Sequence, residues 1–234
     1  MSYALEELYQ PEVLEKLLEG FARHYPGRKK AAIVSQWSMN YMSVCLPACL
    51  IPVIAINQAA PIWRQSTAFI QKNSQPKALQ FLEGMQPISA QSRHQYYHDL
   101  LDNHLGALFP VLAKVGKVNE RMLWSNCAVI WDNLFLRVQA CPEFIPAAQD
   151  AMNWWYKAEL AGRKLRLNRF LSLVDSPVPE AREKLPLRSH CCLHYKLHDE
   201  IKGEPDVLCE SCPKLHRQPL NQQIAYIKYI YETT

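Results

Sequence analysis

Glycine is scarce in this chain, seven among 234 residues, and no G-x-G-x-x-G run opens a helix after a strand. That shortage removes the fingerprint by which nicotinamide and flavin dinucleotides are held. Strong charge bias is missing as well: 26 basic against 22 acidic residues leave a formal net charge of +4. Such a mild excess falls short of a nucleic-acid-binding signature, so no nucleic acid partner is expected.

Long apolar runs are also lacking. The longest, from Val44 to Ile56, spans 13 residues and contains Pro47 and Pro52. A bilayer-crossing helix needs about 20 mostly apolar residues, so the run reads as a buried, kinked segment rather than a transmembrane one. The first ten residues carry Glu6 and Glu7 where an export signal has a basic start and an apolar core. A cytoplasmic location is therefore expected, with room for peripheral contact at the inner membrane.

What remains is a globular composition, 49% hydrophobic and 21% charged, rich enough to build one large core. The hydrophobic spacing is mostly helical. Pro11 suits a first helical position, with Val13, Leu14, Leu17, Leu18 and Phe21 on one face and a stop at Pro26-Gly27. A second segment runs from near Lys29 through Trp37 and Tyr41 into the proline-interrupted stretch. Leu101, Leu105, Leu108 and Leu112 predict a helix bent at Pro110, and Leu123, Cys127, Ile130, Trp131, Leu134, Phe135 and Val138 predict another packed on it. A further helix is expected over roughly 147–173, carrying Arg163, Arg166 and Arg169 on a solvated side.

Between Ser66 and Leu82 a β-leaning stretch, a turn-like Asn73-Ser74-Gln75-Pro76 and a two-residue spacing of Leu79 and Phe81 suggest a small hairpin. The turn-rich Asp175-Ser176-Pro177-Val178-Pro179 reads as a linker. The expected organisation is thus mainly α, with a helical domain over 1–175, the docking body for a substrate, and a C-terminal segment over 176–234. That segment has little periodic apolar pattern of its own, apart from a closing helix over 221–231 that carries Ile224, Ile227 and Ile230. It needs a covalent or metal crosslink to hold together.

The crosslink is suggested by cysteine placement. Cys45, Cys49, Cys127 and Cys141 lie scattered among apolar residues and read as packing. Cys191-Cys192 and Cys209-Glu210-Ser211-Cys212, sixteen residues apart, do not. Four thiolates suit either an iron-sulfur cluster or a structural zinc, and free thiols are a third reading. Adjacent cysteines are awkward as two ligands of one tetrahedral zinc, which usually takes loops with two to four residues between ligands, so the pair favours a [2Fe-2S] cluster. With four sulfurs completing the set, His190, His194, His198 and His216 are expected as neighbours or surface groups rather than ligands.

At these residues the sequence resembles the FhuF-type ferric-siderophore reductases. The likeness is carried by Arg188-Ser189-His190-Cys191-Cys192-Leu193-His194-Tyr195 and Leu208-Cys209-Glu210-Ser211-Cys212-Pro213, and more loosely by Leu123-Trp124-Ser125-Asn126 and the helical body. The resemblance implies a bacterial cytoplasmic oxidoreductase that reduces Fe(III) held by imported hydroxamate siderophores. Cys191, Cys192, Cys209 and Cys212 would be its cluster ligands and reactive centre, and electrons would come from an external ferredoxin or reductase. Arg188 and Lys214 near the ligands, with Trp124 and Asn126 as pocket wall, are the substrate-contact candidates; Arg188, Lys196 and Lys214 could also stabilise a more negative reduced cluster. The sixteen-residue spacer exceeds the one the resemblance implies. Loop closure entropy grows only logarithmically, so the extra length, 198–206, is expected to bulge outward at little cost. The rival reading is a non-enzymatic, zinc-stapled helical module that binds a siderophore or a protein.

Overall fold

A computed structural model describes residues 1–62, 66–160, 165–180, 182–198 and 207–233. The chain starts with a short strand β1 (Ser2–Ala4) and a 3-10 turn, then enters α1 (Pro11–Ala22) with proline at its first position, as the missing N–H allows. Leu14, Leu17, Leu18 and Phe21 are buried.

Helix α2 (Lys30–Ile56) continues unbroken through Pro47 and Pro52. Each proline removes a donor from the carbonyl four residues earlier, at Ser43 and Ala48. Ser43 is exposed and Ala48 only half-buried, so water can replace the lost bonds. Asn57, at φ 53°, ends the helix in the left-handed region. Joining the apolar run to the segment before it gives a 27-residue helix, and among the described residues α2 alone is long and apolar enough to cross a membrane. Here it is the central core helix, in contact with α1 and with the elements named next.

Two-residue strands β2 (Gln58–Ala59) and β5 (Gln86–Pro87) pair antiparallel around a hairpin, β3 (Thr67–Lys72) and β4 (Gln75–Phe81). The expected turn is present: Asn73 and Ser74 both adopt positive φ, the combination that matches the twist of a tight hairpin. β1 adds a third strand alongside β3, which the sequence pattern did not indicate.

α3 (Arg93–His98) passes through a π-helical turn (Asp99–Leu105) into α4 (Gly106–Gly116). The wide turn ends at Gly106, whose carbonyl Pro110 cannot bond, so the predicted distortion lies one turn before the proline. α5 (Glu120–Val138) packs on α2 and α4 and buries Leu123, Cys127, Trp131, Leu134 and Phe135. Trp131 meets Trp155 at 5.0 Å and Trp154 at 5.7 Å, which ties α5 to α6 (Ile145–Lys157).

Beyond α6 the structure departs from the sequence expectation. The helix expected over 147–173 ends early: α6 stops at Lys157, and among the described residues the chain continues as β6 (Glu159–Leu160), β7 (Leu165–Arg166), a 3-10 turn and β8 (Leu171–Asp175). Leu160, Leu167, Phe170 and Leu171 are all buried, at spacings that one face of a helix would also give, so the apolar pattern alone does not separate the two. Arg166 and Arg169 are exposed as expected, whereas Arg163 lies outside the described residues.

The turn-rich 175–179 opens the loop of a second hairpin, in which β8 pairs with β9 (Lys184–Arg188) from Leu171↔Arg188 to Asp175↔Lys184. The expected boundary at 175 thus falls between two paired strands. Of the four scattered cysteines, Cys45, Cys49 and Cys127 are buried, while Cys141 is exposed in the turn before α6 and packs nothing.

The tail forms a minor core of Val178, Leu185, Leu208, Cys212, Leu215 and Ile227, the last from α7 (Leu220–Thr233). Most of the expected outward bulge, 199–206, lies outside the described residues.

α4 approaches α2 closely at Gly116, where a Cβ would stand 2.6 Å from Val34 Cγ1. Gly116→Ala is expected to destabilise the fold by about 1–3 kcal/mol in urea unfolding, and Val34→Ala in the same chain to recover a large part of that loss.

Candidate metal centre

Two loops converge at the end of β9. The first carries Cys191 and Cys192 and turns at Leu193, which takes a left-handed φ of 60° and donates its N–H to Cys191 Sγ at 3.4 Å. The second carries Cys209 and Cys212 in a tight turn closed by Cys212 N–H to the Cys209 carbonyl at 2.9 Å. Tyr226 on α7 holds that turn in place: its hydroxyl accepts from Leu208 N–H at 2.6 Å and donates to the Leu208 carbonyl at 2.8 Å. β9 holds its other side through Arg188 N–H to the Ser211 carbonyl at 3.1 Å.

The four sulfurs meet. Cys191 Sγ lies 3.9 Å from Cys212 Sγ, and Cys192 Sγ 3.8 Å from Cys209 Sγ. Both pairs join the first loop to the second. Two sulfurs bound about 2.3 Å from one tetrahedral metal would stand about 3.8 Å apart, so both pairs are at ligand spacing. Cys192 and Cys212 are buried, Cys191 and Cys209 half-buried.

Proton sharing within the ring is unequal. Hydrogen bonds from Cys191 and its neighbours push Cys192 and Cys212 far down, toward thiolate, while the same contacts push Cys191 and Cys209 up. Backbone N–H groups of His194, Lys214 and Leu215 add to the lowering. Four sulfurs brought together from two loops, with N–H donors turned toward them, are chemically suited to a soft metal or an iron-sulfur cluster.

The histidines stand outside the ring. His194 Nδ1 bonds Gln36 Oε1 at 3.0 Å and its Nε2 faces His198 Nε2 at 3.1 Å; His216 Nε2 bonds the Glu210 carbonyl at 3.2 Å. Burial pushes the His190 and His194 pKa values down.

A polar chain links the ring to the helical body, and the sequence reading missed it. Asn126 on α5 donates through Nδ2 to Ser35 Oγ (2.9 Å) and Ser38 Oγ (3.1 Å) of α2. Its Oδ1 accepts from Arg188 Nη1 at 2.9 Å, and Arg188 Nε donates to Ser211 Oγ at 3.0 Å. Ser211 Oγ in turn points at Cys209 Sγ, 3.8 Å away. One signal was available, an arginine in the strand that delivers the first cysteine pair.

Burial therefore removes three of the expected substrate contacts. Arg188 is 1% exposed and Asn126 fully buried, both inside this chain. Trp124, also 1% exposed, packs edge-on to Phe109 at 4.8 Å and donates to Glu120 Oε1, so it belongs to the core. Its neighbour Ser125 instead holds the tail, donating to the Phe170 carbonyl and accepting the His190 N–H. Lys214 is at the surface beside the ring, its ammonium 3.7 Å from the centre of the Tyr195 ring.

Two openings flank the cysteines. One of about 390 Å³ is lined by Gly27, Arg28, Lys29, Tyr195, Lys196 and His198; the other, about 300 Å³, includes Arg169, Arg188, Pro213, His216 and Arg217 in its wall, and no cysteine lines either. Both are basic.

Residues 35–190 match the family described as ferric iron reductase FhuF-like transporter. The chain belongs to the FhuF-like ferric iron reductase family. No curated protein matches it. The family match contains Ser35, Ser38, Asn126 and Arg188 and stops one residue short of Cys191. The match thus covers most of the helical body and, of the polar chain, all but Ser211, and the first cysteine pair follows directly after it.

Removing the middle of the polar chain should be costly. Asn126→Leu leaves a buried guanidinium and two serine hydroxyls short of a partner, and urea unfolding is expected to show a loss of about 3 kcal/mol.

Proposed function

We propose that this FhuF-like protein is a ferric-siderophore reductase whose four tail cysteines hold a [2Fe-2S] cluster. The observation that carries the reading is the convergence of Cys191, Cys192, Cys209 and Cys212 from two loops, with cross-loop sulfur pairs at 3.8 and 3.9 Å. When bound, such a cluster supplies one electron at a time, the stoichiometry of reducing Fe(III) to Fe(II). Oxygen chelators grip the hard ferric ion much better than the ferrous ion, so one electron is enough to loosen the substrate's iron.

The protein's own residues do the rest. N–H donors around the sulfurs stabilise their negative charge, and the burial of Cys192 and Cys212 keeps water from one side of the ring. Half-buried Cys191 and Cys209 leave the other side within reach of a partner surface. The basic openings draw anionic groups toward that side. Hydroxamate-type ferric siderophores are the proposed substrates, reduced without entering the ligand set. Electrons come from an external ferredoxin or reductase, and the protein works in the cytoplasm, free or resting on the inner membrane.

One observation favours a second reading. Two cross-loop sulfur pairs, each at the spacing of two ligands on one tetrahedral ion, also suit a single zinc, which would staple the tail to a non-enzymatic binding module. Purification without oxygen separates the two. The reductase reading expects coloured protein with two irons and two acid-labile sulfides per chain and loss of both in Cys209→Ser and Cys212→Ser. Colourless protein with one zinc per chain contradicts it.

The openings give a second test. Iron release from ferric chelates of net negative charge should slow about tenfold in the double variant Lys29→Glu, Lys196→Glu at low salt, and the gap should close as salt rises. Uncharged ferric hydroxamates should respond little. Equal slowing of both classes, independent of salt, would remove this opening from the substrate's approach.

A further inference from the structure

The guanidinium of Arg188 is charged at any pH a protein meets, and it is 1% exposed. Burying a cation costs several kcal/mol unless an anion accompanies it. Among the described residues no carboxylate does so. The acids closest to this region, Asp132 and Glu210, both pair with Arg182, at 3.2 and 3.6 Å. The partners of Arg188 are neutral: Asn126 Oδ1 and Ser211 Oγ. The side-chain hydrogen bonds of Arg188 lead to the sulfur side, where Ser211 Oγ stands 3.8 Å from Cys209 Sγ.

The hydrogen bonds run toward the same place. Asn126 is fixed by two serines of α2, so its carbonyl oxygen is turned to Arg188. Ser211 Oγ accepts from Arg188 and so has its own hydrogen free for Cys209 Sγ. The result is a permanent positive charge, anchored in the helical body and set against the cysteine loop with no room to turn away.

We propose that Arg188 is the built-in counter-cation of the group held by the four cysteines, and that it favours the electron-loaded state of that group. This rests on the cluster reading above. The physical reason is simple: reduction adds a negative charge to a centre already anionic through its thiolates, and a nearby buried cation offsets it in a region of low dielectric. Arg188 is thereby a positioning and tuning residue that does not touch substrate. It is also the link through which the family-matched body acts on a tail that lies beyond the match.

The test uses full-length protein prepared without oxygen, with the midpoint potential read from the paramagnetic signal of the reduced cluster. Iron and sulfide are counted in the same samples. In Arg188→Gln the reduced-to-oxidised ratio at the wild-type midpoint should fall at least tenfold, which is about 59 mV for one electron. Arg188→Lys keeps the charge and should recover most of that shift.

Asn126→Asp covers the case in which Arg188→Gln fails to fold. It keeps the side-chain shape and places a carboxylate on the guanidinium, so the arginine stays while its field is cancelled. The same downward shift is expected, with iron and sulfide unchanged. An arginine that only braces β9 against α5 would be held more firmly by Asn126→Asp, and the potential would not move. An unmoved potential in Asn126→Asp, or Arg188→Gln and Arg188→Lys shifted alike, overturns the proposal. Wild-type protein lacking sulfide would instead defeat the cluster reading itself, so the two failures are told apart by the assay of the unmodified chain.

Discussion

A buried guanidinium held against the cysteine loops, with one serine between it and Cys209 Sγ, is the constraint on which the rest of the molecule depends. Arg188 cannot be neutralised by losing a proton, and it cannot reach solvent. Its position is set by β9 pairing with β8, by Asn126 on α5 and by the carbonyl of Ser211. Each of these contacts joins a different part of the chain. The tail is therefore oriented by a polar network rather than by the bulk of its apolar surface, which amounts to six buried residues.

The division of labour follows from that network. α2, apolar around its circumference, needs neighbours on all sides, and α1, α4, α5 and the β4 hairpin supply them. Ser35 and Ser38 are buried polar groups on this helix, and they are satisfied by Asn126, which is in turn the anchor of Arg188. Polar groups buried in a core specify one arrangement when each has its partner. Here the specified arrangement brings two cysteine loops to one point at the edge of the helical body. Membership of the ferric iron reductase family assigns a chemistry to that body. The first cysteine pair follows directly after the matched segment in the chain.

Much of the fold was legible from residue spacing. Helices with one strong apolar face, α1 and α5, are found where the pattern put them, and Asn73-Ser74 marked the hairpin because few residues other than Asn, Asp, Ser and Gly accept its backbone angles. The stretch after Lys157 was misread, since Trp155, Leu165 and the arginines fit a helical wheel as well as they fit short strands; only the pairing of β8 with β9, a tertiary fact, decides between them. The ring of cysteines could be proposed from adjacency and spacing. The burial of Arg188, Trp124 and Asn126 could not, because charge and aromaticity alone do not say which side of an element a residue occupies. Asn126 and Arg188 were picked out as surface or pocket groups, and they turn out to be the internal supports of the site.

X-ray absorption at the iron edge, on protein kept from oxygen, addresses the central claim most directly. The account predicts a shell of sulfur around each iron together with an iron neighbour at short range, both lost when Cys212 is replaced by Ser. Iron surrounded by oxygen and nitrogen, or an absorption edge from zinc alone with four sulfurs around it, would contradict it.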